Sequence, residues 1–338
     1  KFFHLQYLLT TTFYNITFQM SVFFFTLILE DDMKRVLLAT DKPFAAKAVS
    51  KIQEICDKAG YQLVKLESYT SAGQLKDAVK DVHAVIVRSD LITKEIIDAA
   101  PELKIVVRGG AGYDNVDCIA ASKKGVVVMN TPGVNSNAVA ELAMGMAVYM
   151  ARGLFTPKTG GELLGKKIGI HAYGNVGKNV ARIAKGFGMT VYAFDPFVKK
   201  DVIEADGVKV VETVEDLYKT CHYVSLHIPA NDKTKKSINK NLMGLMPKGA
   251  TLLNTARKEV VCEEGLKFML ESRPDFKYAS DIAPDNAAEL NEKFAGRVFF
   301  TPKKMGAQTN EANDNAAEAA ISQIVRFFEK GDITFKVN

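Results

Sequence analysis

The sequence has few cysteines, no long apolar run and no block of like charges. Its four cysteines, Cys56, Cys118, Cys221 and Cys262, are far apart without metal-ligand spacing, which favours a reducing, cytoplasmic setting and gives no reason to expect a bound metal. The apolar run at residues 21–29 is well short of the roughly 20 residues that a membrane-spanning helix needs. The net charge of +5 is modest and its basic residues are scattered, so neither nucleic acid nor a membrane is an expected partner.

The length and composition are those of a globular protein with about two domains. The chain has 338 residues, of which 47% are hydrophobic and 25% charged. Residues 1–32 differ from the rest, being rich in Phe, Tyr, Leu and Thr, and they do not begin with Met. A signal peptide is an alternative, but no small-x-small cleavage site is present. We therefore expect residues 1–32 to be upstream sequence or a disordered extension, with Met33 leading into the first strand.

From Met33 onward, short β-rich runs alternate with helical stretches. This alternation predicts an α/β fold with two doubly wound parallel-sheet domains. A longer Ala- and Met-rich helix is expected at residues 136–152 between them, and a final helix at about 310–330. The predicted strands are residues 35–39, 61–66, 84–87, 104–107, 126–129, 167–173, 190–194, 208–211, 223–227, 251–254, 277–281 and 298–301.

Residues 167–195 have the layout of a dinucleotide-binding unit. A strand is followed by a turn with Gly174 and Gly177, then by an amphipathic helix, a second strand and Asp195. Gly174 would let the backbone approach a pyrophosphate at the helix N-terminus, and Gly177 permits close helix–strand packing. Asp195 would bind the adenosine ribose hydroxyls and repel a 2′-phosphate, which favours NAD over NADP. Since Ala172 replaces the first glycine of the fingerprint, a purely structural turn is the alternative.

From about Met33 to its end, the chain resembles D-2-hydroxyacid dehydrogenases. Four stretches carry the resemblance, in the family's order and spacing: residues 107–117 (VRGGAGYDNVD), 225–229 (SLHIP), 253–259 (LNTARKE) and 301–307 (TPKKMGA). The resemblance implies an NAD-dependent oxidoreductase with a flavodoxin-like substrate domain at 33–133 and 308–338 and a Rossmann NAD domain at 134–307. It also implies a homodimer with an interface around residues 136–152.

Within the family, Arg88-Ser89 and residues 130–132 (NTP) most resemble 3-phosphoglycerate dehydrogenases. That resemblance implies oxidation of 3-phospho-D-glycerate to 3-phosphohydroxypyruvate, the first step of L-serine biosynthesis. Because nothing follows Asn338, a C-terminal regulatory domain and feedback by serine are not expected. The alternatives are another D-2-hydroxy acid, such as glycerate or lactate, and a catalytically silent NAD-sensing protein.

The resemblance also assigns binding residues along the chain. His227 is expected to contact the dinucleotide without being a catalyst, and His171 is expected only to pack. Cofactor-binding residues are expected to be Ala111, Gly174, Asn175, Val176, Gly177, Asp195, His227, Pro229, Thr255, Ala256, Asp281 (near the nicotinamide carboxamide), Gly306 and Ala307. Substrate-binding residues are expected to be Arg88, Ser89, Gly110, Ala111, Gly112 and Arg257, with Arg108 a further candidate for the phosphate end.

The predicted catalytic residues are Arg257 and Lys304. Arg257 matches the family's arginine, which grips the carboxylate and polarises the 2-keto oxygen. The family's acid–base histidine is missing because no histidine follows Arg257; Lys304 stands in its place, and Asn286 replaces the glutamate that would support a histidine. A carboxylate partner would hinder a lysine base, whereas Arg257 and burial would lower its pKa. The alternatives are that Lys304 anchors the substrate phosphate, or that catalysis has been lost.

Overall fold

A computed structural model describes residues 33–41 and 44–338, so the prediction for residues 1–32 lies outside the described residues. The described chain forms two compact units. The central unit is Pro132–Ala316, and the split unit combines the residues up to Thr131 with Ala317–Asn338. None of the helices in the described part of the chain is both long and apolar enough to cross a membrane.

The split unit is built on a five-stranded parallel sheet in the order β2-β1-β3-β4-β5. This is the strand order of flavodoxin-like folds. Its strands are β1 (Arg35–Thr40), β2 (Gln62–Glu67), β3 (Ala84–Val87), β4 (Ile105–Arg108) and β5 (Val127–Asn130). Its helices are α1 (Ala46–Ala59), α2 (Ala72–Ala78), α3 (Lys94–Asp98), α4 (Cys118–Lys124) and the C-terminal part of α12 (Asn310–Lys330).

Both faces of this sheet are covered. Val36 and Leu38 belong to one buried cluster and Leu37 to another, because successive side chains of a strand point to opposite faces. Helix α12 supplies Ala317, Ala320 and neighbouring apolar residues to the first cluster. Strands buried on both sides read as continuous apolar runs, which explains why the sequence alone locates them well.

The central unit contains a seven-stranded parallel sheet in the order β12-β11-β10-β9-β6-β7-β8. The order reverses between β6 and β9, as in a Rossmann fold, which places ligand sites at the carboxyl ends of those strands. Its strands are β6 (Lys167–His171), β7 (Thr190–Phe194), β8 (Lys209–Val210), β9 (Tyr223–Leu226), β10 (Thr251–Asn254), β11 (Lys277–Ser280) and β12 (Val298–Phe300).

The helices of the central unit cover both faces of its sheet, since separate buried clusters lie on the two sides. They are α5 (Ser136–Ala151), α6 (Asn175–Gly186), α7 (Lys200–Ala205), α8 (Val214–Thr220), α9 (Lys240–Gly244), α10 (Glu263–Ser272) and α11 (Ala287–Lys293), with short 3₁₀ turns at Gly153–Phe155 and Lys258–Val260. The predicted α/β fold with two doubly wound parallel sheets is therefore confirmed.

The structure corrects some predicted boundaries. The strand expected at residues 167–173 ends at His171, because Ala172 has a φ of 79°, which breaks the extended conformation. Helix α4 begins at Cys118, where the Asp117 side chain accepts from the Ala120 N–H at 2.9 Å. The final helix has the expected length, Asn310–Lys330.

Candidate active site

The glycine turn of the central unit joins β6 to α6 at the sheet's topological switch point. A Cβ on Gly177 would lie 2.4 Å from the Ala172 carbonyl oxygen, so this position requires glycine for close packing of helix and strand. Gly174 is different: its φ is −79°, and a Cβ there would meet nothing within 4 Å. The protein's own packing therefore does not explain this glycine, whereas a ligand lying against the turn would.

The N-terminus of α6 suits an anion. Gly174 is the N-cap residue, no side chain caps the helix there, and no acidic residue lies in its first turn. The first N–H groups of a helix and its dipole together attract phosphate groups. Asn175, at the start of the helix, has its side-chain amide next to Gly133. The expected cofactor residues Gly174, Asn175, Val176 and Gly177 thus form an open cradle that a pyrophosphate fits.

Asp195 follows β7 and closes the side of this turn. Its carboxylate accepts from the Tyr173 N–H at 2.7 Å, from the Phe197 N–H at 2.8 Å and from the Val198 N–H at 3.2 Å. The side chain is half-buried. Sequence reasoning assigned Asp195 to the ribose alone, but the structure gives it a second task, because it also fixes the backbone of the glycine turn.

A cavity of about 540 Å³ opens beside the turn within the central unit. Its walls come from the ends of β6, β7 and β9 and from residues 233–245, which the sequence analysis did not single out. The lining residues are His171, Phe194, Val214, Glu215, Ile228, Lys233, Thr234, Ser237, Asn239, Asn241, Leu242 and Leu245. Apolar atoms form most of the cavity surface, although seven of the twelve lining residues are polar or charged, and such a surface suits a flat heteroaromatic ring with polar edges.

Two histidines lie at this end of the sheet. His171 is buried, and its Nδ1 lies 3.3 Å from the Tyr218 hydroxyl. Burial lowers the pKa of His171 to about 4 and that of His227 to about 3, so both rings are neutral at pH 7. The Nε2 of His227 is buried and has no hydrogen-bond partner among the described residues, which leaves it available to a ligand. His171 does more than pack, since it also lines the cavity.

Arg257 lies just beyond β10 on a turn fixed by Asn254. The Asn254 side chain donates to the Arg257 carbonyl oxygen at 3.0 Å and accepts from the Ala256 N–H at 2.9 Å. Arg257 itself is half-buried, and its Nη1 donates to the Ala256 carbonyl oxygen at 2.9 Å. Thr255 has a buried hydroxyl without a partner in the described chain. The turn therefore presents one guanidinium and one unsatisfied hydroxyl at the carboxyl edge of the sheet.

Lys304 lies on the segment Thr301–Gly306, which we call the lysine loop. Lys304 is exposed, so the expected burial of its amine against the nicotinamide would come from the bound cofactor. The expected nicotinamide contact, Asp281, follows β11 and is only 1% exposed; its carboxylate accepts from the N–H groups of Met305 and Gly306 at 2.7 and 2.8 Å. Asn286 starts α11, and its Oδ1 is buried without a partner among the described residues.

In the split unit, the ends of β3 and β4 bring two arginines into contact. Arg108 Nε donates to the Arg88 carbonyl oxygen at 2.8 Å. The Arg88 guanidinium lies over the Phe44 ring, with its Cζ 5.1 Å from the ring centroid. Burial lowers the pKa of Arg88, while Asp90 and Asp41 raise it. Arg88 follows β3, which borders the β1/β3 switch point where ligands of flavodoxin-like sheets bind, and Arg108 ends the next strand of the sheet, β4.

The glycine loop after β4 differs from the expectation at Gly110. Its N–H donates to the Arg108 carbonyl oxygen at 2.9 Å, so in this conformation it does not face a substrate carboxylate as we expected. Its φ is 144°, and a Cβ would collide with the Arg108 guanidinium, which fills that space. The Thr131 N–H and the Asn130 side chain hold the loop through the carbonyl oxygens of Gly110 and Ala111. Ala111 is exposed and Gly112 half-buried.

The Rossmann sheet with its glycine turn, the flavodoxin-like sheet and the arginine and lysine at strand ends together define a nucleotide-dependent oxidoreductase. Comparison with known proteins agrees. The family described as D-isomer specific 2-hydroxyacid dehydrogenase, catalytic domain, matches residues 38–338. The chain belongs to this family of NAD-dependent dehydrogenases, which confirms the resemblance recognised in its sequence.

Individual relatives carry several names. Over 303 residues the chain is 31% identical to D-3-phosphoglycerate dehydrogenase of Methanocaldococcus jannaschii, matching 85% of this chain and 56% of that protein. Over 271 residues it is 32% identical to hydroxypyruvate reductase of Thermotoga maritima, and the match covers 75% of this chain and 87% of that protein. The chain thus spans little more than half the length of the first of these relatives.

Solved structures give the same fold. NAD⁺-bound 3-phosphoglycerate dehydrogenase of Entamoeba histolytica aligns with a TM-score of 0.81 and 43% identity, over 90% of this chain and 99% of that one. A D-2-hydroxyisocaproate dehydrogenase aligns with a TM-score of 0.76 and 20% identity, over 90% of this chain and 99% of that one. At this identity the alignment supports the fold alone. The family and the fold are therefore established, whereas the names of the relatives differ in substrate.

Proposed function

We propose that this chain binds NAD and oxidises 3-phospho-D-glycerate to 3-phosphohydroxypyruvate, the entry step to L-serine. The observation that carries the substrate assignment is that Arg88 and Arg108 lie at the ends of neighbouring strands, where Arg108 Nε donates to the Arg88 backbone carbonyl oxygen. Two guanidinium groups at one sheet edge suit a dianionic phosphate better than an uncharged hydroxymethyl or methyl group. The 43% identity to a 3-phosphoglycerate dehydrogenase supports the same substrate.

NAD fits the residues of the central unit. The pyrophosphate would lie at the uncapped start of α6 beside Gly174, and Asp195 would receive the ribose hydroxyls. The adenine would enter the cavity beside His171 and Ile228. The other end of the dinucleotide would contact a second group of residues. These are His227 through Nε2, Thr255 through Oγ1, and the residues around Pro229, Ala256 and Ala307. Bound NAD⁺ would supply the acceptor for the hydride on C2 of the hydroxy acid.

The chain's own side chains perform the remaining chemistry. Arg257 holds the substrate carboxylate and stabilises negative charge on the C2 oxygen. Lys304, in its neutral form, accepts the proton of the C2 hydroxyl as the hydride leaves. Because the ordinary pKa of a lysine is about 10.4, turnover by such a base rises toward alkaline pH. Ser89 and the backbone of Ala111 and Gly112 complete the substrate side.

The first test is NADH formation with 3-phosphoglycerate, glycerate and D-lactate between pH 6 and pH 10. We expect turnover of the phosphorylated acid, with a rate that rises with pH. Arg88→Ala should raise the KM for 3-phosphoglycerate by about 10-fold or more, while glycerate, which has no phosphate, is its matched control. Equal effects on both acids would contradict the phosphate assignment.

Lys304→Ala tests the acid–base role within the same assay. We expect kcat to fall by about 100-fold or more while the KM for 3-phosphoglycerate changes little, because general acid–base catalysis contributes to the transition state. A raised KM with unchanged kcat would instead make Lys304 a phosphate anchor. Tight NAD binding with no turnover of any acid by the unchanged protein would favour the NAD-sensing alternative.

A second candidate is a dehydrogenase or reductase for an unphosphorylated D-2-hydroxy acid. It is favoured by the 32% identity to a hydroxypyruvate reductase that the chain covers to 87%. Preferred turnover of glycerate, or of hydroxypyruvate with NADH, would support it. Arg88→Ala should then leave the KM for glycerate unchanged, because the phosphate contact would play no part.

The quaternary structure, the location and the domain roles are part of the same proposal. We assign NAD binding to residues 134–307 and substrate binding to residues 33–133 with 308–338, and we propose a homodimer formed around residues 136–152. Light scattering on the purified protein measures the dimer directly. The four cysteines are free thiols, which suits a cytoplasmic enzyme.

A further inference from the structure

We propose that Asp281 is a positioning residue: it holds the lysine loop in place through the loop's backbone. This inference rests on the proposed role of Lys304, since the loop matters for catalysis only if its lysine does. It differs from the contact with the nicotinamide carboxamide that the family resemblance implies for Asp281. In this proposal the carboxylate binds backbone N–H groups of the loop, whereas the resemblance implies that it lies near the cofactor.

The Asp281 carboxylate is held on the loop by several short hydrogen bonds. Oδ1 accepts from the Met305 N–H at 2.7 Å, and Oδ2 accepts from the Gly306 N–H at 2.8 Å. The Thr301 hydroxyl lies 3.1 Å from Oδ1 and 2.6 Å from the Asp281 carbonyl oxygen. Two consecutive N–H groups that converge on one carboxylate form the kind of backbone concavity that binds anions. Lys304 immediately precedes this pair of N–H groups.

The base of this arrangement is fixed to the sheet. The Asp281 N–H donates to the Asn254 carbonyl oxygen at 2.9 Å, and the Thr301 N–H donates to the Ser280 carbonyl oxygen at 3.1 Å. Asp281 therefore continues the ladder of β10, β11 and β12 by one residue. Because Asn254 also fixes the Arg257 turn, the sheet edge relates the lysine loop to the arginine through a short chain of hydrogen bonds.

The close approach of carboxylate and loop depends on a glycine. A Cβ on Gly306 would lie 2.9 Å from Asp281 Oδ2 and 3.2 Å from the Val139 side chain. Asp281 is 1% exposed and Thr301 is 4% exposed, so both side chains are shielded from water. A buried N–H without an acceptor is unfavourable, so the loop would move to find one.

The experiment compares Asp281→Asn with the unchanged protein. The amide has the shape of the carboxylate, but its NH₂ group cannot accept, so either the Met305 or the Gly306 N–H loses its acceptor. Hydrogen–deuterium exchange of the peptide covering residues 301–308 should become about tenfold faster or more in the free protein. In the dehydrogenase assay, kcat should fall about 10- to 100-fold, while the dissociation constant for NADH stays within about threefold.

Two further variants make the result specific. Thr301→Val keeps the carboxylate but removes the hydroxyl, which also lies 2.8 Å from the Lys303 carbonyl oxygen, so it measures how far the hydroxyl holds the loop independently of the carboxylate. The exchange and kcat should change less than in Asp281→Asn. Arg273→Ala removes hydrogen bonds to the Met246 and Pro247 carbonyl oxygens and the ion pair with Asp275, remote in sequence from the lysine loop. It should lower stability yet leave kcat within about twofold.

Several outcomes would overturn the proposal. Unchanged exchange at residues 301–308 in Asp281→Asn would show that the carboxylate does not hold the loop. Weaker NADH binding with unchanged exchange would return Asp281 to a cofactor contact. Faster exchange with unchanged kcat would remove the positioning role. The exchange measurement needs no substrate, so failure of this inference is distinct from failure of the proposed function, which Lys304→Ala reports.

Discussion

Aspartates near strand ends accept hydrogen bonds that hold the loops next to the residues proposed to bind ligands. Asp90 accepts from the Asp41 N–H and the Tyr69 hydroxyl at 2.7 Å each, beside Arg88. Asp195 accepts from three backbone N–H groups around the glycine turn. Asp281 accepts from two in the lysine loop. Loops at the carboxyl edge of a parallel sheet leave N–H groups unpaired, and a carboxylate satisfies several of them at once.

Ala172 carries backbone strain at the dinucleotide turn. Its φ of 79° lies in the left-handed region, where a Cβ is unfavourable and where the fingerprint has glycine. We therefore expect Ala172→Gly to raise the free energy of unfolding by about 1 kcal/mol, measured by urea denaturation. Gly174→Ala is the contrasting variant: its φ is −79°, so stability should change little while NADH binding weakens. A destabilised Ala172→Gly protein would contradict this account of the turn.

At the scale of elements, the Ala- and Met-rich composition of α5 serves packing within the chain. Eight of its residues are buried, among them Ala140, Ala143 and Ala147. These small side chains belong to the same buried cluster as Val180, Ala181 and Ala184 of α6. The apolar side of α5 is thus used within the chain. A dimer interface around residues 136–152 would use other positions, such as the exposed Asn137 and Glu141.

Ala147→Leu tests the tightness of this packing. The side chain is fully buried, so the added atoms force neighbouring side chains or backbone to move, and we expect a loss of about 1–3 kcal/mol in the free energy of unfolding. Gly145→Ala in the same helix is the control: it is exposed and a Cβ would meet nothing within 4 Å. It should stabilise by about 1 kcal/mol. Equal stability of the two variants would mean that α5 is loosely packed.

At the scale of the whole molecule, stability depends on histidines that stay neutral. Burial lowers the pKa of His171 to about 4 and that of His227 to about 3, and burial also lowers the pKa of His83 and of His222. In the unfolded chain these rings titrate near pH 6.5. Below that pH the unfolded chain binds protons that the folded chain does not. The contribution of the neutral histidines to the free energy of unfolding is therefore complete above about pH 6.5 and decreases as the pH drops.

We therefore expect the free energy of unfolding to fall between pH 6.5 and pH 4, by about 1.4 kcal/mol per pH unit for each fully neutral histidine. Urea denaturation at pH 7.5, 6, 5 and 4.5 measures this slope. His171→Gln keeps a hydrogen-bonding side chain near Tyr218 and removes one titrating group, so the slope should decrease by about one proton. An unchanged slope would mean that His171 does not remain neutral in the folded protein.

The sequence by itself determined the strands, the long helices and the class of fold. Buried parallel strands are continuous apolar runs, and the glycine turn before Asp195 is a local pattern, so neither needs knowledge of distant residues. The family followed from four motifs that are each contiguous. Arg88, Arg257 and Lys304 could be proposed in the same way, because each lies within or beside a recognisable stretch.

Only the tertiary structure decided where the polar groups of the site are directed. The sequence did not show that the Gly110 N–H turns to Arg108, nor that Lys304 is exposed. It also did not show that Asp281 reaches the loop 24 residues further on, or that His171 and Asn241 line one cavity. These arrangements depend on loops from different strands that meet at the carboxyl edge of their own sheet. Their contacts are set by three-dimensional packing, which leaves no local periodic signal in the chain.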